Sequence, residues 1–430
     1  MERPEAKLSG ETPKVVPPMP LTVEDTGLDA AFLADLTLRT VYADTDCTTE
    51  RVADRLCLPT SVTEALLLAL YRGKFIEIHG KTAGNGHRYG MLQRGWQRAH
   101  RLLEVSGYIG PAPVSLAAYT MMSELQERER PAVTLGAVEK ALGDLILPDA
   151  IVRTLGLAAS SRRSLFITGP PGTGKTTMAR GIHAAITGDY WIPYAIEVEG
   201  QVIKMFDAHS HEPVPSVGTP YDRRWIRTKR PLVIVGGEMT IETMDLIYSQ
   251  TVRYYEAPFQ MKANGGTLVI DDFGRQRVEP RDLLNRWIIP LESRVDYLTL
   301  HTGKKIQVPF EQLLIFATNL DPVSLVDNAF LRRTGYRLRM ELATPETYGR
   351  IFERYAERHA LRLDGSLVDR LLGWYQHEGR PLLPCEPRDL LERCIDICRF
   401  ENRSHIVTPD LLELAWTNYF GRRPSLLEAT

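Results

Sequence analysis

The chain has 430 residues, a formal net charge of −2, 43% hydrophobic residues and 25% charged residues. This composition is typical of a soluble globular protein of ~3 domains, and the near-neutral charge argues against binding nucleic acid through bulk positive charge alone. No apolar run reaches ~18 residues, so no transmembrane helix is predicted. The first residues lack the apolar core of a signal peptide. We therefore expect a cytoplasmic protein without membrane insertion.

The five cysteines do not suggest a disulfide framework, because their number is odd and the chain is long. Cys394 and Cys398 are four residues apart on a predicted helix, with Cys385 nearby. They are either metal ligands or small buried apolar residues. The second interpretation is favoured because no C-x-x-C pair or histidine at ligand spacing accompanies them.

The N-terminal region begins with residues 1–25, which are rich in Pro, Glu and Lys and predict a flexible arm. Over residues 26–93, three predicted helices precede two strand-like segments, 75–78 and 88–92, joined by a turn-rich stretch. This order of elements resembles a winged-helix domain. Its third helix, residues 61–71, is almost wholly apolar and offers no Arg, Asn or Gln to base edges. We therefore favour contact with a protein over contact with DNA.

A helical connector is predicted over residues 94–130, where a charged stretch ends before Pro131. It leads to the region that carries the motifs.

A phosphate-binding pattern, G-x-x-x-x-G-K-[ST], follows the apolar run at 165–168 and precedes a predicted helix. In this strand–loop–helix context, glycines let backbone N–H groups turn toward phosphate oxygens, and the helix N-terminus adds partial positive charge. We expect Lys175 to reach the β- and γ-phosphates of ATP and Thr176 to ligate Mg²⁺. The residues predicted to bind the nucleotide are Gly169, Pro170, Pro171, Gly172, Thr173, Gly174, Lys175, Thr176 and Thr177.

A second apolar run, residues 267–270, ends in the carboxylates of Asp271 and Asp272. Such a run is typical of a buried parallel strand, and ligands of open α/β sheets bind at the C-terminal ends of strands. We expect Asp271 to hold Mg²⁺, directly or through water, and Asp272 to orient or deprotonate the attacking water. Residues 232–238 form a competing candidate with a single acid, which we interpret as a structural strand.

A third buried run, residues 313–318, ends at Asn319, whose amide suits a hydrogen bond to the γ-phosphate or to the attacking water. An Asn before Asp-Pro is also a common turn former. Between the second and third runs, residues 296–308 alternate on both sides of a Gly-containing turn and predict a β-hairpin.

Three arginines farther along the chain are candidates for contact with phosphate. Arg332 and Arg333 precede a predicted strand, where paired arginines are usually surface charge. Arg388 follows Pro387 in the first turn of a predicted helix. A cation there opposes the helix dipole, and a bound anion would offset that cost.

Together these residues resemble the AAA+ ATPase family over about residues 133–420. The resemblance implies a P-loop core of parallel sheet and helices over residues 131–343 and a helical lid over residues 344–430. The hairpin at 296–308 is similar to the pre-sensor-1 insertion of the clade that holds MoxR-type chaperones, magnesium chelatases and enhancer-binding activators. The long segment at 198–266 has room for the extra helix-2 element of that clade.

The resemblance also implies roles for single residues. Asn319 corresponds to sensor 1, Arg332 and Arg333 to the arginine-finger position, and Arg388 to sensor 2. A finger supplied in trans requires a neighbouring subunit, so a homo-oligomeric ring, commonly hexameric in this family, is implied. Asp272 departs from the pattern, because the second acid is usually Glu.

The resemblance implies an ATPase that uses ATP and Mg²⁺ and remodels a protein partner. Two alternatives stay open: a DNA-associated ATPase or transcription regulator that uses the winged-helix-like domain, and a nucleotide-gated scaffold with low turnover. The Gly-Ala-Phe-Thr-Gly-Ala loop of enhancer-binding activators and the H-E-x-x-H protease motif do not occur in the chain.

Overall fold

The structure is a computed structural model that describes residues 15–44, 47–81, 86–215, 218, 220–321 and 332–424. The chain divides into two compact units. Unit 1 comprises residues 1–132, 186–268 and 282–314, and unit 2 comprises residues 133–185, 269–281 and 315–430.

The chain contains both α-helices and β-strands. The α-helices are α1 Ala30–Tyr42, α2 Thr49–Leu56, α3 Thr60–Arg72, α4 Gln93–Val105, α5 Leu116–Arg128, α6 Leu135–Ala141, α7 Asp149–Ser161, α8 Lys175–Ala184, α9 Phe259–Lys262, α10 Pro280–Ser293, α11 Pro345–Arg358, α12 Leu367–His377, α13 Glu386–Phe400 and α14 Pro409–Phe420. The strands are β1 Cys47–Thr48, β2 Ile76–Lys81, β3 His87–Met91, β4 Val114–Ser115, β5 Leu165–Thr168, β6 Asp189–Pro193, β7 Ala195–Val198, β8 Gln201–Lys204, β9 Trp225–Lys229, β10 Leu232–Val235, β11 Ile247–Ser249, β12 Tyr254–Glu256, β13 Thr267–Ile270, β14 Val295–Thr299, β15 Lys305–Pro309, β16 Leu313–Thr318, β17 Tyr336–Arg339, β18 Arg362–Leu363 and β19 Ile406–Val407.

A five-stranded sheet has the order β10-β13-β16-β5-β17, and the division into units passes through β13 and β16. Strands β16 and β17 both pair in parallel with β5. Every residue of β5, β13 and β16 is buried, which explains why their sequences are continuous apolar runs. Helix α7 packs against β17 and α8. The predicted α/β fold, a parallel sheet flanked by helices, is therefore confirmed.

In unit 1, helices α1, α2 and α3 pack together and precede the antiparallel pair β2–β3, which forms a small sheet with β1. Leu33, Leu36 and Leu67 are wholly buried in the core of this region. This is the order of elements from which the winged-helix-like domain is predicted. Residues 82–85, part of the turn-rich stretch predicted between the two strands, lie outside the described residues.

The predicted boundaries differ from the observed units. We expected an uninterrupted core over residues 131–343, but residues 186–268 and 282–314 belong to unit 1. Strand β4, from the predicted helical connector, pairs in parallel with β7. The side-chain amide of Gln126 on α5 donates to the carbonyl of Trp191 at 3.0 Å and accepts from its N–H at 2.7 Å. Such pairings join distant parts of the sequence and leave no local signal.

Part of the predicted flexible arm is packed within unit 1, while residues 1–14 lie outside the described residues. The indole N–H of Trp191 donates to the carbonyl of Val15 at 3.0 Å. Val15 and Val16 also pack against a buried apolar cluster of the unit. These two valines make apolar contacts, although the Pro- and Lys-rich composition around them predicted a flexible arm.

The predicted hairpin is present, because β14 and β15 pair antiparallel from Val295–Pro309 to Thr299–Lys305. Within 198–266, where the resemblance leaves room for the extra helix-2 element, no long helix occurs in the part that the structure describes. Strands β8 to β12 occupy it instead, with only the four-residue α9 and a short 3-10 turn. The helix-2 element stays a prediction of the resemblance.

The C-terminal helices of unit 2, α11 to α14, form their own core around Leu390 and Trp416. Thr344 and Thr408 cap α11 and α14, and a proline follows each cap at the first helical position. Cys394 and Cys398 are buried in this core, and all five cysteines are free. Among the described residues no group of three or more His, Cys, Asp or Glu could hold a metal ion.

None of the helices in the described part of the chain combines the length and the apolar composition needed to cross a bilayer.

Candidate functional site

The predicted phosphate-binding loop joins the carboxyl end of β5 to the start of α8, both within unit 2. Gly169, Gly172 and Gly174 have φ angles of 146°, 76° and 82°, values that residues with a Cβ rarely adopt. A Cβ at Gly169 would also lie 2.5 Å from the carbonyl oxygen of Met340. The glycines of the pattern are therefore required by the backbone path of the loop.

Lys175 points its ammonium into this loop. Nζ donates to the carbonyl oxygens of Gly169 at 3.0 Å and Pro170 at 2.8 Å, and to Oδ1 of Asn319. The side chain is only 8% exposed. Burial lowers the pKa of Lys175, and the two carboxylates that follow β13 oppose this shift. A bound phosphate would compete with these oxygens for the ammonium and would favour its charged form.

Thr176, in the first turn of α8, contacts Asp271, which directly follows β13. The Thr176 hydroxyl donates to Oδ2 of Asp271 at 2.8 Å, and the other oxygen of Asp271 accepts the N–H of Asp272 at 3.0 Å. One hydroxyl and one carboxylate, completed by water and phosphate oxygens, suit the way proteins hold Mg²⁺ with nucleotides. This pair therefore fits the predicted magnesium site.

Asn319 connects the remaining polar groups. Its Nδ2 donates to Oδ1 of Asp272 at 3.1 Å, while its Oδ1 accepts from the Lys175 ammonium. The partners define the amide orientation, because only the oxygen can accept from an ammonium. The ends of β5, β13 and β16 thus bring five predicted residues into one hydrogen-bonded cluster: Lys175, Thr176, Asp271, Asp272 and Asn319.

Arg332 and Arg333 are not brought to this cluster. They precede the amino end of β17, and β17 pairs in parallel with β5 from Tyr336–Leu165 to Arg339–Thr168. The phosphate-binding loop follows the carboxyl end of β5, so the length of the paired strands, roughly 10 Å, separates the arginines from it. Arg332 is exposed and Arg333 is half-buried.

Arg388 lies in the first turn of α13, which begins close to the loop: the N–H of Cys385 donates to the carbonyl of Gly172 at 3.1 Å. The guanidinium is engaged on its own helix, where Nε and Nη2 donate to Oδ1 of Asp389 at 2.9 and 2.7 Å. This hydrogen bond raises the pKa of Arg388. Arg388 therefore lies about one helical turn after Cys385, which contacts the loop, and its hydrogen bonds go to Asp389.

Sequence reasoning missed two residues at the site. The Cys385 sulfur would lie 2.6 Å from a Cβ at Gly172, so the thiol covers the backbone of the loop. Burial, with added repulsion from Asp389 and Glu386, raises the pKa of this thiol. The second is Gln276, whose amide contacts the backbone at the end of β13. Neither residue belongs to a pattern, so no signal in the sequence indicated them.

The competing strand β10 is present, but the Glu238 carboxylate that follows it accepts the N–H of Gly236 at 3.0 Å. This local turn agrees with its interpretation as a structural segment.

Comparison with protein families gives one match, over residues 344–418, to a family described as "Domain of unknown function (DUF8689)". The match begins at the residue where the helical lid was predicted to begin. No curated protein matches the chain.

Among solved structures, the chain is similar to NtrX from Brucella abortus in complex with ATP, with 18% identity and a TM-score of 0.39 over 68% of this chain. It spans 58% of the length of that NtrX chain. For NtrX in complex with ADP the identity is 17% and the TM-score 0.41, covering 78% of this chain and 63% of the other. For the Thermotoga maritima RuvB Holliday junction branch migration motor the identity is 14% and the TM-score 0.37, and the match covers 64% of this chain and 70% of the other.

Proposed function

We propose that this chain is an ATP-hydrolysing AAA+ protein. The observation that carries the proposal is the hydrogen-bonded cluster at the ends of β5, β13 and β16. In it, Thr176 contacts Asp271, and Lys175 contacts Asn319. The backbone N–H groups of the loop and the start of α8 would bind the phosphates. Thr176 and Asp271 would hold Mg²⁺, which neutralises charge on the phosphate oxygens when bound.

The remaining two residues of the cluster suit the hydrolytic step. The Asp272 carboxylate is a base that can orient and deprotonate a water for attack on the γ-phosphate. Asn319 keeps this carboxylate in place through Nδ2 and contacts the Lys175 ammonium through Oδ1. The base and the phosphate-binding cation are thus joined through one side chain, which aligns the water with the phosphate that it attacks.

Replacing Asp272 with Asn tests the proposal. We expect kcat for ATP hydrolysis to fall by ~10²–10⁴, because the amide cannot accept the proton of the water. ATP affinity should persist, since Lys175 and the loop are unchanged. The measurements are phosphate release and ATP titration, with Asp396→Asn as control, because Asp396 is an exposed lid carboxylate. Wild-type protein that binds ATP without hydrolysing it would instead support the nucleotide-gated scaffold.

We further propose a homo-oligomeric ring in which Arg332 or Arg333 reaches the nucleotide of a neighbouring chain. The position of the pair supports this, because both precede the end of β17 that is farther from the chain's own loop. A guanidinium is suited to charge that develops on the γ-phosphate during hydrolysis. Six subunits are commonly found in the family that the sequence resembles, and a hexamer is our proposal here.

We propose a protein rather than DNA as the partner of the winged-helix-like domain. Leu68 and Tyr71 on α3 are 44% and 45% exposed, while no Arg, Asn or Gln lies between Thr60 and Tyr71. An exposed helix face of this kind suits apolar contact with a protein and lacks the donors and acceptors that read base edges. ATP hydrolysis would then serve to remodel that partner.

A titration with duplex DNA over a range of salt concentrations separates the two partners. We expect no binding even at low salt, because α3 has no array of cations to replace phosphate counterions. Affinity that is high at low salt and falls steeply as salt rises would instead support the DNA-associated ATPase.

A further inference from the structure

Gln276 lies in the turn after β13 and contacts three backbone groups with one side-chain amide. Its Nε2 donates to the carbonyl oxygens of Asp271 at 3.0 Å and Asp272 at 3.3 Å. Its Oε1 accepts the N–H of Gly274 at 2.8 Å. The side chain is half-buried and spans the whole turn. It therefore connects the backbone of both carboxylate residues to the segment that follows them.

The turn that Gln276 spans has an unusual backbone. Asp272 has a φ of 49°, in the left-handed region that residues with a Cβ seldom adopt. Further hydrogen bonds surround it: the N–H of Phe273 donates to Ala317 at 2.8 Å, and the N–H of Arg275 donates to Asp272 at 3.0 Å. Such a conformation persists only where the surrounding contacts define it, and it occurs often at functional sites.

The left-handed turn has a direct consequence for the two carboxylates. Successive side chains of an extended strand point to opposite faces. Here, however, Asp271 reaches Thr176 and Asp272 reaches Asn319, and both partners belong to the same hydrogen-bonded cluster. The turn at Asp272 therefore allows two adjacent residues to serve one site, the first as a ligand and the second as a base.

We infer that Gln276 is a positioning residue for ATP hydrolysis, which acts by holding the left-handed turn that aims Asp272 into the site. This inference rests on the proposed function. Because the amide contacts only backbone groups of the turn, its removal leaves the residues that bind phosphate in place. The alignment of the water by Asp272 is what its removal disturbs.

Gln276→Leu removes all three hydrogen bonds at similar side-chain size. We expect kcat to fall by about 10- to 100-fold, since a displacement of ~1 Å at a reacting group has an effect of this order. ATP affinity should stay at the wild-type value. Hydrogen exchange at the backbone amides of residues 272–274 should become faster. Gln97→Leu is the matched control, because Gln97 is an exposed residue of α4.

Gln276→Glu provides a second variant should Gln276→Leu melt at a lower temperature. It keeps an acceptor for Gly274 but presents a carboxylate oxygen to the carbonyls of Asp271 and Asp272. We expect the same loss of kcat with unchanged ATP affinity.

A double-mutant cycle identifies the route of the effect. If Gln276 acts through Asp272, the loss caused by Gln276→Leu should vanish in an Asp272→Asn background, measured in single-turnover hydrolysis. Independent losses that multiply would overturn the inference. If the wild-type protein hydrolyses ATP and the Gln276→Leu variant has the same kcat, the inference about Gln276 is overturned while the proposed function stays intact. A wild-type protein without hydrolysis would overturn both.

Discussion

Lys175→Ala should weaken ATP binding by at least ~100-fold, and hydrolysis should be lost with it. The Lys175 ammonium is the cation within the phosphate-binding loop, where it already donates to three oxygens. A charge-assisted hydrogen bond contributes about 1.5–3 kcal/mol. Loss of two such bonds to phosphate oxygens would therefore weaken ATP binding by at least ~100-fold. Isothermal titration calorimetry with ATP measures the change.

Lys140→Ala is the control for this substitution. Lys140 is an exposed residue of α6 in the same unit, so its removal takes away the same charge and side chain without touching the loop. We expect wild-type affinity for ATP in this variant. Equal affinity in Lys175→Ala and wild type would show that the loop does not bind the nucleotide as assigned.

Removing both Arg332 and Arg333 should slow hydrolysis by ~10³–10⁵, the range known for arginine fingers. ATP binding to the chain's own loop should persist, because β17 and β5 place the pair at the far end of the paired strands. Phosphate release and ATP titration distinguish the two effects. The single variants Arg332→Ala and Arg333→Ala then identify which guanidinium carries the loss.

Mixing variants tests whether the arginines act between chains. Protein with Arg332→Ala and Arg333→Ala keeps an intact loop, whereas Lys175→Ala protein keeps intact arginines. A mixed assembly therefore restores some complete sites, and part of the ATPase activity should return. As control, a chain with all three substitutions can co-assemble but cannot restore a site. Failure of rescue despite co-assembly of the first pair would contradict an arginine supplied in trans.

Four residues of the hydrogen-bonded cluster could be predicted from short sequence patterns. Lys175 and Thr176 could be predicted because a glycine-rich loop needs φ angles that other residues rarely adopt. Asp271 and Asn319 could be predicted because buried parallel strands are continuous apolar runs, and their carboxyl ends meet at one edge of the sheet. Both signals lie within a few consecutive residues.

Other contacts of the site could not be predicted in this way. The thiol of Cys385 covers Gly172 from a residue more than 200 positions away in the chain. Gln276 is close in sequence to Asp272, but its contacts depend on a left-handed turn that an aspartate does not by itself indicate. Arg388 was predicted to contact phosphate, yet its guanidinium donates to the carboxylate of the next residue, Asp389.

The sequence by itself determined the P-loop, the buried strands and the polar residues at their ends, because each depends on backbone conformation or burial over a short segment. Only the tertiary structure decided which polar groups meet, at which end of the paired strands β17 and β5 Arg332 and Arg333 lie, and that residues 186–268 and 282–314 belong with the N-terminal region. These features depend on pairings between distant segments, such as β4 with β7 and β17 with β5. The free energy of such pairings comes from packing and hydrogen bonds that form only when the chain has folded.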